Sequence, residues 1–162
     1  MPTYQPFVIT LPAGQTQHLI EARGIYSIPA DRSVQLNPER YYAFRATNGQ
    51  MKRIYHITLV LGPVMPNQVL ATIQSEGSSA FPMLTAEQVE QLRKYILGIN
   101  HGIKQGRIEA AEHLDSQVYY FLASHEGDQL PSNTGPLHPT SGPMNFTREV
   151  LSAGGRLPPQ VH

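Results

Sequence analysis

The 162-residue chain has no cysteine. This excludes disulfides, thiol nucleophiles and cysteine-based zinc sites, and leaves the redox compartment open. It has no excess of charge either: 12 Lys and Arg balance 12 Asp and Glu, for a formal net charge of zero. No block of Lys or Arg occurs, so the electrostatic footprint of a nucleic-acid binder is missing. No apolar run approaches the roughly 20 residues that a membrane-spanning helix needs. The opening MPTYQPFVITLPAG lacks a charged n-region and places two prolines before its short apolar run, unlike a signal peptide. No GxxxxGK[ST] or GxGxxG pattern is present, so Gly14, Gly24 and Gly49 read as turn residues rather than a phosphate cradle. The expectation is a soluble chain with no cofactor, no nucleic acid and no membrane among its partners.

What is present is enough for one ordinary domain with a buried core, and its composition divides it into three segments. Residues 1–80 read as short strands, on alternation and β-branched content. Phe7 to Leu11 ends at Pro12-Ala13-Gly14. Gln17 to Arg23, Ile25 to Ile28 and Ser33 to Leu36 follow, each closed by Gly, Pro or Asn-Pro. Arg40 to Thr47 alternates before Asn48-Gly49, a hairpin turn dipeptide, with RIYHITLVLG (53–62) as its partner. Gln68 to Gln74 is a further strand. Six or seven strands with a turn every 8 to 12 residues predict an antiparallel β-sandwich or barrel.

Residues 81–125 change period. Thr85-Ala86-Glu87-Gln88 fits a capping box, and Val89, Leu92, Ile96, Ile99 and Ile103 recur at spacings of three and four, one apolar stripe on a helix. Gly98 and Gly102 weaken that helix, each by about 1 kcal/mol relative to alanine. Gly106 breaks it, and a second helix over Arg107 to Ser124 completes an αα-hairpin. Residues 126–162 hold six of the 14 prolines and five of the 13 glycines. They predict an extended C-terminal arm with one short helix at Thr147 to Ser152. Such an arm has too little apolar surface to offset ordering its backbone, roughly 1 to 2 kcal/mol per residue. A neighbouring subunit, a lattice contact or threading across its own domain would have to hold it. The fold class expected is thus α+β: an antiparallel β-domain (1–80), a helical hairpin packed on it (81–125) and the arm (126–162).

The chemistry-bearing candidate is His56-Ile57-Thr58. Residues at i and i+2 of a strand share a face, so an imidazole and a hydroxyl could reach one substrate phosphate. This unit resembles one half of the two-histidine phosphoesterase signature. In that family two His-x-Ser/Thr units face each other across a cleft, and the histidines act as acid and base on a phosphodiester. The resemblance covers about ten residues, and the second unit it implies is His138-Pro139-Thr140, although proline is confined to strand edges and bulges. His18-Leu19-Ile20 sits on a predicted strand without the hydroxyl. The competing reading puts His56 and Thr58 on the polar face of a strand whose other face, Tyr55, Ile57, Leu59 and Leu61, enters the core.

Glu109 and His113, four apart, with His101 earlier, make an imaginable metal site, but two groups without a third ligand more often mark a solvated helix face. No metal is therefore expected. Tyr41, Tyr42, Phe44 and Tyr55 could stack on bases; without basic neighbours, cross-strand packing is the expected use.

A broader resemblance runs through ITLPAGQTQHLIEARGIYSIPADRSVQL and YYAFRATNGQMKRIYHITLVLG to VLATIQSEG. In its "LPAG" and "ARG" turns and its strand rhythm over residues 7–77, it is similar to small β-sandwich virion proteins of tailed bacteriophages. The resemblance implies a structural component of a capsid or tail, located in the virion; without it, a cytoplasmic location is expected. The charged fraction of 15% and zero net charge, which favours association, point the same way. The expectation is a structural or assembly protein, a homo-oligomer or part of a larger assembly, that binds neighbouring subunits through its arm. The alternative is a phosphoesterase using His56, Thr58, His138 and Thr140.

Overall fold

A computed structural model describes residues 7–32, 35–46, 49–124, 128–131, 133–134 and 144–157. The chain is α+β. Its main sheet has six strands in the order β2-β5-β4-β3-β1-β7: β1 (Phe7–Pro12), β2 (Ile25–Pro29), β3 (Tyr41–Arg45), β4 (Tyr55–Val64), β5 (Gln117–Ala123) and β7 (Met144–Thr147). The two-residue strands β6 (Asn133–Thr134) and β8 (Gly155–Arg156) form a separate parallel pair. The helices are α1 (Gln17–Arg23), α2 (Pro66–Glu76), α3 (Ala86–Lys104) and α4 (Arg148–Ala153).

The main sheet is open rather than closed into the expected barrel, and it is mixed rather than antiparallel. β1 and β3 are parallel, with Val8 opposite Tyr41 and Leu11 opposite Phe44. Parallel neighbours need a crossover connection of a dozen residues or more, and residues 13–40, which contain α1 and β2, supply it.

Two predicted strands are helices, and their ends explain why. Gln17 to Arg23 buries Leu19 and Ile20 and stops at Gly24, whose φ of +65° suits the residue after a helix. The predicted strand Gln68 to Gln74 lies inside α2. There Pro66 stands at the first turn and Gly77, at φ +64°, follows the last, while Val69 and Ile73 are buried four apart. Proline at the start and glycine past the end is the helical asymmetry.

The second helix of the expected hairpin is also absent. Gly106 does end α3, with φ +71°, but the chain then makes a short 3-10 turn at Ala110–Glu112 and enters β5. Val118, Tyr119, Tyr120 and Phe121 are β-branched or aromatic side chains, which fit a pleated surface. Ser33 and Val34 lie outside the described residues, and Gln35 and Leu36 are not in a strand. β3 and β4 do pair antiparallel, Tyr41 with His56 and Tyr42 with Tyr55. The connection is longer than a two-residue turn. Ala46 is bonded to Gly49 and Gln50, and Gly49 has φ +84°, while Asn48 lies outside the described residues.

The chain divides into two compact units. The first draws on Met1–Gln17, Leu36–Thr58 and Leu122–His162, the second on His18–Gln35 and Leu59–Phe121. In the second, Val89, Leu92, Ile96 and Ile99 of the predicted α3 stripe are buried, with Ile103 partly buried beside them and Tyr95 added, together with Val69 and Ile73 of α2 and Ile25, Leu61, Tyr119 and Phe121 of the strands. The capping box is present: Thr85 Oγ1 accepts from the Gln88 amide at 3.1 Å, and Gln88 Oε1 accepts from the Thr85 amide at 2.9 Å. Gly98 and Gly102 have a packing reason. A Cβ at Gly98 would stand 2.6 Å from Leu19 Cδ2, and one at Gly102 2.5 Å from Ile108 Cδ1.

In the first unit, Val8, Ala43, Met51, Ile54, Phe146, Leu151 and Leu157 are buried together. The described part of residues 126–162 is therefore not an extended arm. It pairs β7 with β1, Val8 opposite Phe146, and α4 falls where the short helix was predicted, with Thr147 Oγ1 capping the Val150 amide at 3.2 Å. Of the three means of ordering this segment, the described residues use threading across their own unit.

Candidate functional site

β4 carries the residues singled out by the sequence. Tyr55, Ile57 and Leu61 are buried and Leu59 half-buried, whereas His56 is half-buried and Thr58 exposed. The two-residue alternation is as expected. Cross-strand partners share a face, so His56 stands beside Tyr41 of β3.

Around Tyr41 the first unit assembles a polar cluster. The Arg148 guanidinium, at the start of α4, lies 4.3 Å from the centroid of the Tyr41 ring, a cation–π distance. Arg148 Nη1 also donates to Asp128 Oδ1 at 2.9 Å. The Asp128 side chain is almost fully buried and that of Arg148 partly exposed. Burying a carboxylate without a partner is costly, and the Arg148 guanidinium is one partner that offsets that cost for Asp128. The Asp128 carbonyl in turn accepts from the Ile54 amide at 2.9 Å, one residue before β4. Asn133 adds two bonds, accepting from the Met51 amide at 3.0 Å and donating to the Gly49 carbonyl at 3.1 Å. The cluster thus fastens Asp128 and Asn133 to the β3–β4 connection and Arg148 to Asp128 and Tyr41.

Chemically, a guanidinium spread over a ring and bound to a carboxylate is a held cation. None of the six strands of the main sheet brings a second histidine to His56; β4 carries the one histidine among them. His138 and Thr140 lie outside the described residues. The aromatic residues pack as cross-strand neighbours: Tyr42 opposes Tyr55, and the Phe44 and Tyr55 ring centroids are 5.8 Å apart.

The imagined metal site is not assembled. His101 is exposed near the end of α3, Glu109 is exposed at the start of the 3-10 turn, and His113 is half-buried at its end. Among the described residues, no three His, Asp or Glu side chains converge to hold an ion. Burial instead pushes the His113 imidazole below its ordinary pKa, against a smaller upward pull from Glu112.

Sequence reading missed the polar groups inside the second unit. Tyr95 belongs to the α3 stripe, three residues after Leu92, and its hydroxyl is 2.9 Å from Ser27 Oγ of β2. The Tyr95 and Tyr119 rings meet edge to face at 6.2 Å. Gln117, at the start of β5, is buried, and its Nε2 donates to the Glu112 and Asp115 carbonyls at 3.0 and 3.1 Å. Only the period of the α3 stripe could have revealed Tyr95; nothing local marks Ser27 or Gln117. A shallow groove on the same unit is lined by Arg23, Glu87, Glu90, Gln91 and Lys94. Glu90 in this groove is approached by Lys94 of the same groove and by Arg93 beside it.

No helix among the described residues is long and apolar enough to cross a membrane. No family model, curated protein or solved structure matches the chain.

Proposed function

We propose that this chain is an assembly protein that binds further copies of itself or neighbouring subunits. The observation that carries the reading is a set of large apolar side chains held in solvent: Phe7, Val60, Met83, Leu97 and Leu114 are each between 41% and 57% exposed. One exposed apolar residue is ordinary. Five among the described residues of a chain of zero net charge, which has little long-range repulsion to keep copies apart, favour association. Phe7 stands opposite Thr147 in the β1–β7 pairing, so the C-terminal segment borders one of these side chains and belongs to the binding surface. The setting proposed, a capsid or tail, rests on the likeness of residues 7–77 to tailed-phage virion proteins, two of whose expected strands are helices here.

The mass of the full chain in solution tests the proposal. We expect an oligomer whose population grows with concentration and which dissociates in the Phe7→Ser, Leu97→Glu or Leu114→Glu variants without loss of helical circular dichroism. A monomer at every accessible concentration would sink the proposal.

A further inference from the structure

Gln117 poses a problem of hydrogen-bond balance. Its side chain is 1% exposed. The two carbonyls that hold Nε2 fix which end of the amide is which, because a carbonyl can only accept. Oε1 is thereby committed to the opposite direction, and among the described residues it has no protein donor. Gln117 lines a small cavity in the second unit together with Ser27, Tyr95, Asn100, His113 and Tyr119, with about 10 Å³ of space open to a water molecule. That is roughly the room one water needs, provided it finds two to four polar partners.

The lining supplies them. Ser27 and Tyr95 share one hydrogen bond in which either oxygen can donate. Two hydroxyls bring two protons, so one O–H is left to donate elsewhere. His113, whose charged form burial disfavours, offers one nitrogen lone pair when neutral. One unsatisfied acceptor, one spare donor and one further acceptor, with the Asn100 amide and the Tyr119 hydroxyl also in the lining, meet the two to four polar partners that a single water needs.

We propose that one water molecule is a built-in component of this cavity, accepting from the Ser27–Tyr95 hydroxyl pair and donating to Gln117 Oε1 and to the His113 imidazole. It joins β2, α3 and β5 where no direct side-chain bond closes the set. Buried waters of this kind exchange slowly and are retained because their partners would otherwise lie unpaired.

Oxygen-17 magnetic relaxation dispersion on the full chain tests this. The expected result is a long-lived internal water in the natural chain, and the loss of one water's amplitude in Gln117→Met and in Ser27→Ala. Equal amplitude in the natural chain and both folded variants overturns the proposal. Should neither variant fold, a high-resolution crystal structure of the natural chain decides. A density peak at roughly 2.7 to 3.2 Å from Gln117 Oε1 supports the bound water, and a dry cavity refutes it.

Discussion

The two units bury apolar cores of similar kind but assemble them differently. The second is organised by α3: one helix of 19 residues presents a stripe, and α2, Leu84 and Ile108 close on it from nearby in sequence. The first has no long helix among its described residues. It joins β1, the β3–β4 connection and the C-terminal segment, stretches about a hundred residues apart, through backbone bonds such as Leu130 to Lys52 at 2.8 Å. Local contacts form early and at low entropic cost, whereas distant ones form only after loop closure has been offset. A sequence rich in local pattern thus announces the second unit, while the first is visible only in pairs of positions.

The comparison breaks first in the cores. Phe146 is buried inside what the sequence reads as an arm. Phe146→Ala should therefore cost about 3 to 5 kcal/mol, a full core truncation, measured by urea unfolding. A loss below about 1 kcal/mol would return the segment to the status of an accessory tail. Leu92→Ala, its counterpart on α3 with no exposure, should cost about 2 to 5 kcal/mol. Sites in different cores should add, so the double variant tests whether the units are energetically separate.

The next effect is of contrary sign to the usual rule. Alanine in place of helical glycine normally stabilises by about 1 kcal/mol. At Gly102 the added methyl would meet Ile108 Cδ1 and Cγ1 at 2.5 and 2.8 Å. Overpacking of this kind costs about 1 to 3 kcal/mol, so Gly102→Ala should be neutral or destabilising by thermal melt, and Ile108→Ala in the same chain should relieve it. A clear gain in melting temperature from Gly102→Ala alone would show that this contact does not constrain the helix. A smaller loss, about 1 kcal/mol, is expected for Thr85→Ala, which removes one half of the capping box.

The subtlest difference between the units is in pH. The folded pKa of His113 lies below the unfolded value near 6.5. Between those two values the unfolded chain binds more protons, so stability rises with pH through that window and is complete above it. Glu112, paired with Arg32 at 2.7 Å, opposes the shift, and Tyr95 and Tyr119 line the same cavity without titrating in this range. Urea midpoints should fall between about pH 7 and about pH 5, with a smaller fall in His113→Gln. An identical fall in both chains would place the titration elsewhere.

Much of the architecture is written in short-range code. The Thr85 cap, the α3 stripe, the alternation of β4 and the short α4 helix are each decided by neighbours within four residues. The strands mistaken at α1 and α2 show the limit of that code. Leu19-Ile20 and Val69-Leu70 fit either period, and only the glycines and Pro66 at the ends distinguish them. The second helix failed for a related reason, because Val118 to Leu122 offers apolar residues at both strand and helix spacing. The polar cluster of Tyr41, Asp128 and Arg148 and the Ser27–Tyr95–Gln117 set were illegible. Their members are 20 to 107 residues apart, beyond any local period. Composition misled most in the C-terminal segment, where many prolines and glycines outweighed a few well-placed apolar side chains.

The position of β7 has a consequence for the order in which the protein is made. β1 leaves the ribosome well before β7, and its pairing edge opposite β3 is covered by that strand, synthesised some 130 residues later. At roughly 5 to 20 residues per second, that edge stays open for about 10 s, beside other nascent copies on the same message. A neighbour's finished β7 has the same sequence and would fit it equally well. Mixed-label co-translation of two tagged copies, followed by crosslinking at Val8 and Phe146, would reveal whether subunits exchange this strand at birth.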